Sequence, residues 1–279
     1  RFVEHFRDKN EPKAAAALAG VLNDLNQNVR REAAHALRRI DDEAAVRAAL
    51  ANFVHPDFEV RNHLIYRFVE KPHPAAFGPL LKILDSSDSR AWSSAAQAVR
   101  RYDGEEAATA AYTLLDHRDA NVRTQVVARF QEKPHANSVK AFVKGLADFN
   151  QSVRNQAASG LQAMPGEEAT QAALVALAKV NPPDHQVRFH LVARFIAHPD
   201  ARAVGRLIEA LEDTDHRVRQ HAAQAISRSA TGSHAKPLAP LLYWKEAGLR
   251  HMVASKFKSF FMDPTLADNA MPSNGDLLS

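Results

Sequence analysis

A Val-Arg dipeptide that recurs in register organises this sequence. It occurs at residues 29–30, 60–61, 122–123 and 153–154, on one lattice of 31 residues, and Ala91-Trp92 fills the missing position. After three extra residues the lattice resumes, with Val187-Arg188, Val218-Arg219 and Leu249-Arg250. Eight copies of one design at this period are typical of a solenoid, in which each unit contacts mainly its neighbours. Such a chain offers a long surface instead of one catalytic core, so we expect binding.

A helix start precedes every dipeptide. Three residues before it stand Asn26, Asp57, Asp88, Asp119, Asn150, Asp184, Asp215 and Glu246. Asp and Asn accept hydrogen bonds from the free N–H groups of a first helical turn, and Asp also suits the helix dipole. The column therefore predicts an N-cap in each unit, with Glu246 as the poorest cap.

Apolar columns on both sides of this cap predict two helices per unit. The second helix carries Leu37, Phe68, Val99, Phe130, Leu161, Phe195, Ile226 and Phe257. The preceding helix carries Leu22, Phe53, Leu84, Leu115, Leu146, Leu177, Leu211 and Leu242. Because a lone helix pair cannot bury both faces, neighbouring pairs must stack. The predicted fold is all-α, a right-handed α-solenoid of about eight stacked helix pairs over residues 11–262.

The units also alternate in kind, with a period of 62 residues. Seven positions after the dipeptide, odd units have the small residues Ala36, Ala98, Gly160 and Ala225. Even units have Arg67, Arg129, Arg194 and Lys256 there. We expect these cations to be solvated, because Glu70 and Glu132 follow Arg67 and Arg129 at i+3, a common surface pairing. A spacing of about 20 Å, two helix layers, is also too sparse to track nucleic-acid phosphates.

The ends of the chain depart from the repeat. His5-Phe6 falls where an even unit would place its Arg-Phe pair, so residues 1–10 are interpreted as the tail of a truncated preceding repeat. Residues 263–279 form a polar C-terminal tail without a period. The sequence opens inside a helical pattern without an initiator Met, and we expect it to be part of a larger chain or complex.

Composition excludes several classes of function. The net charge is +4, spread evenly, which does not indicate a basic nucleic-acid domain. There is no cysteine, hence no disulfide, thiolate nucleophile or Cys-based zinc site. No apolar run approaches the ~18 residues of a membrane span, and no signal peptide is evident, so we expect a cytoplasmic protein.

Chemical motifs are missing from the sequence as well. The fourteen histidines include no pair three or four residues apart, and there is no HExxH, GxSxG or Gly-rich phosphate loop. We therefore expect no metal, no cofactor and no catalytic residue, and we favour a protein that is not an enzyme.

Residues 28–37 read Asn-Val-Arg-Arg-Glu-Ala-Ala-His-Ala-Leu. This segment resembles the HEAT-repeat superfamily, closest to the short HEAT-like repeats first named for phycobilisome lyases. The resemblance covers about residues 10–262 and implies stacked helix pairs. Its functional implication is broad, since the superfamily holds scaffolds, chromophore lyase subunits and a DNA glycosylase group. Our leading hypothesis is a non-enzymatic scaffold that binds a protein or peptide. The alternatives are a glycosylase-like nucleic-acid-binding protein and a tetrapyrrole-lyase-type subunit.

The candidate binding surface is the second-helix face, formed by residues two, three, six and ten positions after the first residue of each dipeptide. In HEAT-like repeats this face usually lines the concave side. It is polar and nearly uncharged here, with scattered aromatic residues, a composition that suits a protein or peptide partner. The predicted partner-binding residues are Tyr66, Trp92, Gln97, Gln125, Phe189 and His190. Trp92 lies in the dipeptide column, either as an exposed anchor or as a packing substitute for Arg. The Arg residues of that column are expected to pair with cap carboxylates of neighbouring units.

Overall fold

The computed structural model describes residues 12–179 and 184–262, and the elements in these ranges are α- and 3-10 helices without any strand. The chain divides into two compact units, unit 1 over residues 1–137 and unit 2 over residues 138–279. The segments predicted as a truncated repeat (1–10) and a polar tail (263–279) lie outside the described residues, as does the insertion at 181–183. The predicted all-α fold is confirmed.

Unit 1 is a stack of helix pairs in which even-numbered helices follow the caps. Its helices are α1 (Pro12–Gly20), α2 (Gln27–Arg39), α3 (Glu43–Ala51), α4 (Phe58–Glu70), α5 (Phe77–Asp85), α6 (Ser89–Val99), α7 (Gly104–Thr113) and α8 (Ala120–Glu132). Two 3-10 turns, Pro74–Ala76 and Leu114–Asp116, adjoin α5 and α7. Along the stack α2 packs on α4, α4 on α6, and α6 on α8, while α1 packs on α3.

Unit 2 repeats this arrangement. Its helices are α9 (Ser138–Leu146), α10 (Gln151–Ala163), α11 (Glu167–Ala178), α12 (His185–Ala197), α13 (Val204–Glu209), α14 (His216–Ser229), α15 (Ala235–Leu238) and α16 (Ala247–Met262). The last first-helices are short, and 3-10 segments at Ala201–Ala203, Ala210–Glu212, Gly232–His234 and Ala239–Tyr243 extend them. The even-numbered helices again pack in succession, α10 on α12, α12 on α14 and α14 on α16.

The cap column sets where the second helices begin. Each of the eight starts one residue after the predicted cap, from Gln27 after Asn26 to Ala247 after Glu246. Typical geometry is that of Asn150, whose Oδ1 accepts a hydrogen bond from the N–H of Ser152 at 2.9 Å. Asp88 makes no such bond to the helix backbone; its carboxylate binds the guanidinium groups of Arg61 and Arg90 instead.

Both apolar columns contribute to the core between stacked pairs. On the second helices Leu37, Phe68, Phe130, Leu161 and Phe195 are fully buried. The first-helix column is less uniform. Leu84 is buried in unit 1, whereas Leu146 in unit 2 is half-buried, although the sequence placed them in equivalent positions. Near the 3-10 segment of the last pair Leu241 is buried and Leu242 is half-buried, because a 3-10 turn rotates side chains differently from an α-helix.

Candidate partner-binding surface

Arginines of the dipeptide column are bound within the protein. In the first pair, Arg30 Nη2 lies 2.7 Å from Asp57 Oδ2, the cap carboxylate of the next pair, and its Nη1 donates to the carbonyl of Asp24 at 2.8 Å. The Arg30 guanidinium therefore joins the turn of its own pair to the cap of the next.

The same geometry recurs in both units. Arg61 binds Asp88 in unit 1, and Arg154 Nη2 lies 2.9 Å from Asp184 in unit 2. Arg219 approaches Glu246 at 3.6 Å. The prediction that this column is a structural ladder is confirmed, so these cations are not a free basic track for a polyanion.

Cations of the even pairs do not lie where the sequence predicted. Arg67, Arg129 and Arg194 are at most 2% exposed, so the expectation of a solvated row is wrong. Their partners are not Glu70 and Glu132, the residues at i+3. They are backbone carbonyls at the end of the preceding second helix. Arg67 binds the carbonyls of Leu37, Arg38 and Ile40; Arg129 binds that of Tyr102; Arg194 binds those of Leu161, Met164 and Gly166.

Helix-end chemistry explains this burial. The last carbonyls of an α-helix have no partner within the helix, and the C-terminal end of its dipole favours a cation. A guanidinium presents five N–H donors, enough to satisfy several such carbonyls at once. Burial lowers the pKa of Arg67, Arg129 and Arg194 from its ordinary value. Lys256, the fourth cation of this series, is only half-buried.

On the second-helix face of unit 1, Tyr66, Gln97 and Gln125 are half-exposed. The guanidinium of Arg38 lies 4.4 Å from the centre of the Tyr66 ring and also binds Glu70. This face is thus less neutral than the sequence indicated, since charged side chains stand beside the predicted residues.

Gln125 has the equivalent neighbour one 62-residue period later. Arg100 Nη1 donates to Gln125 Oε1 at 2.7 Å, and Arg100 Nε donates to Glu132 Oε2 at 2.8 Å. Hydrogen bonds from Arg38 and Arg100 hold the pKa of Glu70 and Glu132 below the ordinary value. The sequence could have predicted these pairs, because Arg stands nine positions after the first dipeptide residue of an odd unit and Glu stands ten positions after that of the following even unit.

Trp92 is not the exposed anchor that the sequence left possible. It is 6% exposed, its indole N–H donates to the Ser86 carbonyl at 3.1 Å, and its ring packs edge-on against His117 at 4.8 Å. The guanidinium of Arg118 covers the ring at 4.2 Å. Trp92 therefore takes the place of the dipeptide Arg as a packing residue, and it does not belong to the exposed partner-binding residues.

In unit 2, Phe189 and His190 are both half-exposed. The Phe189 ring lies 4.5 Å from that of His221 on the next second helix, and Arg217 stands 5.8 Å from its centre. His190 Nδ1 lies 2.7 Å from Gln162 Oε1, and burial lowers the pKa of His190 below its ordinary value. The His190–Gln162 hydrogen bond of unit 2 thus occupies the position of the Arg100–Gln125 hydrogen bond in unit 1.

The described ranges give no indication of a metal centre or of a membrane span. His35 and His63 stack edge to face at 5.6 Å, but within 12–179 and 184–262 no three His, Cys, Asp or Glu side chains are grouped to hold an ion. None of the helices in these ranges combines the length and the apolar character that crossing a bilayer demands.

Comparison with known proteins agrees with the repeat architecture. A family model described as HEAT repeats matches residues 2–66. No curated protein matches the sequence. The predicted resemblance to HEAT repeats is thereby confirmed, and it carries no partner or activity with it.

Solved structures show the same fold. An engineered protein is 20% identical with a TM-score of 0.54, over 96% of this chain and 86% of that one. YibA of Escherichia coli is 16% identical with a TM-score of 0.54, over 94% of this chain and 96% of that one. Human deoxyhypusine hydroxylase, in complex with glycerol, is 17% identical over 90% and 97% of the two chains, but its TM-score of 0.40 supports no argument.

Proposed function

We propose that this protein is a non-enzymatic scaffold that binds protein or peptide segments on the second-helix faces of its units. The observation that carries the proposal is the contrast between two sets of side chains. The strongly basic rows are bound to cap carboxylates and helix ends, whereas Tyr66, Gln125 and Phe189 remain half-exposed. Half-exposed aromatic rings with hydrogen-bonding side chains beside them suit a protein partner, because aromatic residues dominate binding energy at such interfaces.

The burial of the even-pair cations also bears on the nucleic-acid alternative. A phosphate-binding surface needs accessible Lys and Arg side chains. Arg67, Arg129 and Arg194 are inaccessible, and most of the dipeptide arginines have carboxylate partners. The protein-binding hypothesis needs none of these groups, so it is favoured. The tetrapyrrole-lyase alternative has no supporting observation of its own.

Selection from a random peptide library provides the test, because it samples peptide sequences without presupposing a partner. Peptides enriched on the full chain are labelled with fluorescein, and their affinity is measured by anisotropy. We expect Tyr66→Ala or Phe189→Ala to weaken binding at least tenfold for peptides that use unit 1 or unit 2, respectively, as truncating an aromatic anchor does.

Phe149→Ala is the matched control, since Phe149 is 84% exposed in a turn outside the second-helix face. Thermal unfolding of each variant separates lost binding from lost folding. If enriched peptides bind equally well to Tyr66→Ala and Phe189→Ala but lose affinity for Phe149→Ala, the assignment to this face is wrong.

A further inference from the structure

A groove lies on the second-helix face of unit 2, between α14 and α16. Its volume is about 530 Å³, within the range of pockets that bind small ligands or single anchoring side chains. Its apolar lining comes from Ile196, Leu211, Trp244, Leu249 and Met252. Met252 lies on the candidate second-helix face, three positions after Leu249, whereas the sequence placed none of the other four residues on that face.

Small side chains create this space. Ala223 and Ser227 on α14 face the groove, and Gly248 stands at the start of α16. A Cβ atom built on Gly248 would meet no atom within 4 Å, so the glycine borders open space. The groove is therefore a consequence of side-chain size in the last two stacked pairs.

Charge in the groove is unbalanced. Arg219 and Glu246 lie 3.6 Å apart and offset each other. Arg228 donates from Nη1 to the Ile196 carbonyl at 3.3 Å and has no ion pair with any residue that the structure describes. The Trp244 indole N–H likewise has no acceptor in the described ranges. The lining thus offers one uncompensated guanidinium and one free N–H donor beside an apolar cleft.

We infer that this groove binds a large apolar side chain that stands next to a carboxylate in a peptide partner. The inference rests on the proposed peptide-binding function and names the chemistry that one part of the face selects. The apolar group fills the cleft at Trp244 and Met252, and the carboxylate pairs with Arg228, for which a planar bidentate contact is the favoured geometry. Charge complementarity favours an anionic ligand over a neutral or cationic one.

Met252 provides a direct reporter for occupancy. The chain has only four methionines, so 13C-methyl-methionine labelling of the full chain yields a simple spectrum, in which Met252→Leu identifies one signal. The probe is 3-phenylpropionate, which joins an aromatic ring to a carboxylate. We expect it to shift the Met252 signal with a dissociation constant of roughly 1–10 mM, normal for so small a ligand, and to leave Met164 unmoved.

Three comparisons test the two halves of the site. 3-Phenylpropionamide, which lacks the charge, should bind about tenfold more weakly to the unaltered chain. Arg228→Gln should weaken 3-phenylpropionate to the same degree and leave the amide unaffected. Gly248→Leu should abolish binding of both, since its side chain occupies the cleft. A Met252 signal that does not move, or equal binding of the acid and the amide, would overturn the inference.

Short peptides then distinguish the two sources of the carboxylate. One ten-residue peptide ends in Phe with a free C-terminus, a second ends in Phe-amide, and a third carries internal Phe-Glu with an amidated end. Binding of the first alone identifies a chain terminus, and binding of the third identifies an acidic side chain. If neither shifts Met252 although the fragment does, the groove is not a peptide site. If no ligand binds in the groove, the experiment with Tyr66→Ala and Phe189→Ala can still succeed. Failure of this inference and failure of the proposed function are therefore distinguishable.

Discussion

At the scale of single residues, the most informative side chains are the buried arginines of the even pairs. A buried charge is normally paired with a carboxylate, because the desolvation of an isolated ion is costly. Here the partners are carbonyl dipoles at a helix end. Arg194 binds the carbonyls of Leu161 and Met164, and its Nη2 lies 3.0 Å from Thr170 Oγ1. These residues therefore join consecutive pairs through the backbone.

Replacing Arg194 by Met should destabilise the protein by at least about 3 kcal/mol, because several buried acceptors lose their donor at about 1–3 kcal/mol each. Urea unfolding at neutral pH measures the loss. The control is Arg206→Met, whose exposed side chain pairs with Glu209 on the protein surface, so its effect should stay within about 0.5 kcal/mol. Equal effects of the two substitutions would show that the carbonyl bonds contribute nothing.

Gly160 stands seven positions after Val153, where the other odd units have Ala, and the neighbouring Phe142 ring explains this difference. A Cβ built there would lie 2.6 Å from Cζ and 2.8 Å from Cδ1 of Phe142, which is fully buried. We expect Gly160→Ala to cost about 1–3 kcal/mol through overpacking. Gly205→Ala, in an open position of α13, should instead stabilise by roughly 0.5–1 kcal/mol. Denaturant unfolding of both variants checks the opposite signs.

At the scale of elements, local signals made the helices predictable. Capping by Asn or Asp and apolar periodicity act within a few residues, so the start of every second helix could be located. The surroundings of Arg67 could not be predicted in this way. Its acceptors are backbone carbonyls 27–30 residues earlier, and since every residue has a carbonyl, the sequence does not mark which ones bind. Likewise, the residues of the candidate face could be listed from the helical period. The burial of Trp92 could not be predicted, because its hydrogen-bond acceptor is the backbone carbonyl of Ser86.

Ion pairs between successive second helices should make stability depend on pH. The Arg100 hydrogen bond lowers the pKa of Glu132, so the folded protein favours its ionised form. This stabilisation is present above the unfolded pKa of about 4.3 and is lost as pH falls through the lower folded value. Because the carboxylate is partly exposed, the effect should be less than about 1 kcal/mol.

Unfolding free energies at pH 6 and pH 3 provide the measurement. Glu132→Gln should reduce the loss of stability between these two conditions, and Arg100→Gln should reduce it similarly, because either substitution removes the same bond. A pH dependence that is unchanged in both variants would contradict the assignment of this pair.

At the scale of the whole molecule, the net charge of +4 overstates how much positive charge is available to a ligand. Part of it belongs to Arg67, Arg129 and Arg194, which are buried, whereas ion pairs such as Arg30–Asp57 add no net charge. The second-helix faces then present half-exposed polar and aromatic side chains beside Arg–Glu ion pairs. This separates a scaffold for proteins from a nucleic-acid-binding solenoid with a similar pI.

Affinity for DNA should therefore be weak. A fluorescein-labelled 20-base-pair duplex should bind the full chain in the non-specific range, with a dissociation constant no tighter than roughly 10 μM near physiological salt. Because the arginines of the dipeptide column and of the even pairs are paired or buried, affinity should also fall only shallowly as salt rises. Arg228→Gln removes an exposed cation of the groove, and a loss of DNA affinity in this variant would place the residual binding there. Sub-micromolar affinity with a steep salt dependence would instead favour the nucleic-acid hypothesis, because it would require phosphate contacts by exposed cations outside these two arginine rows.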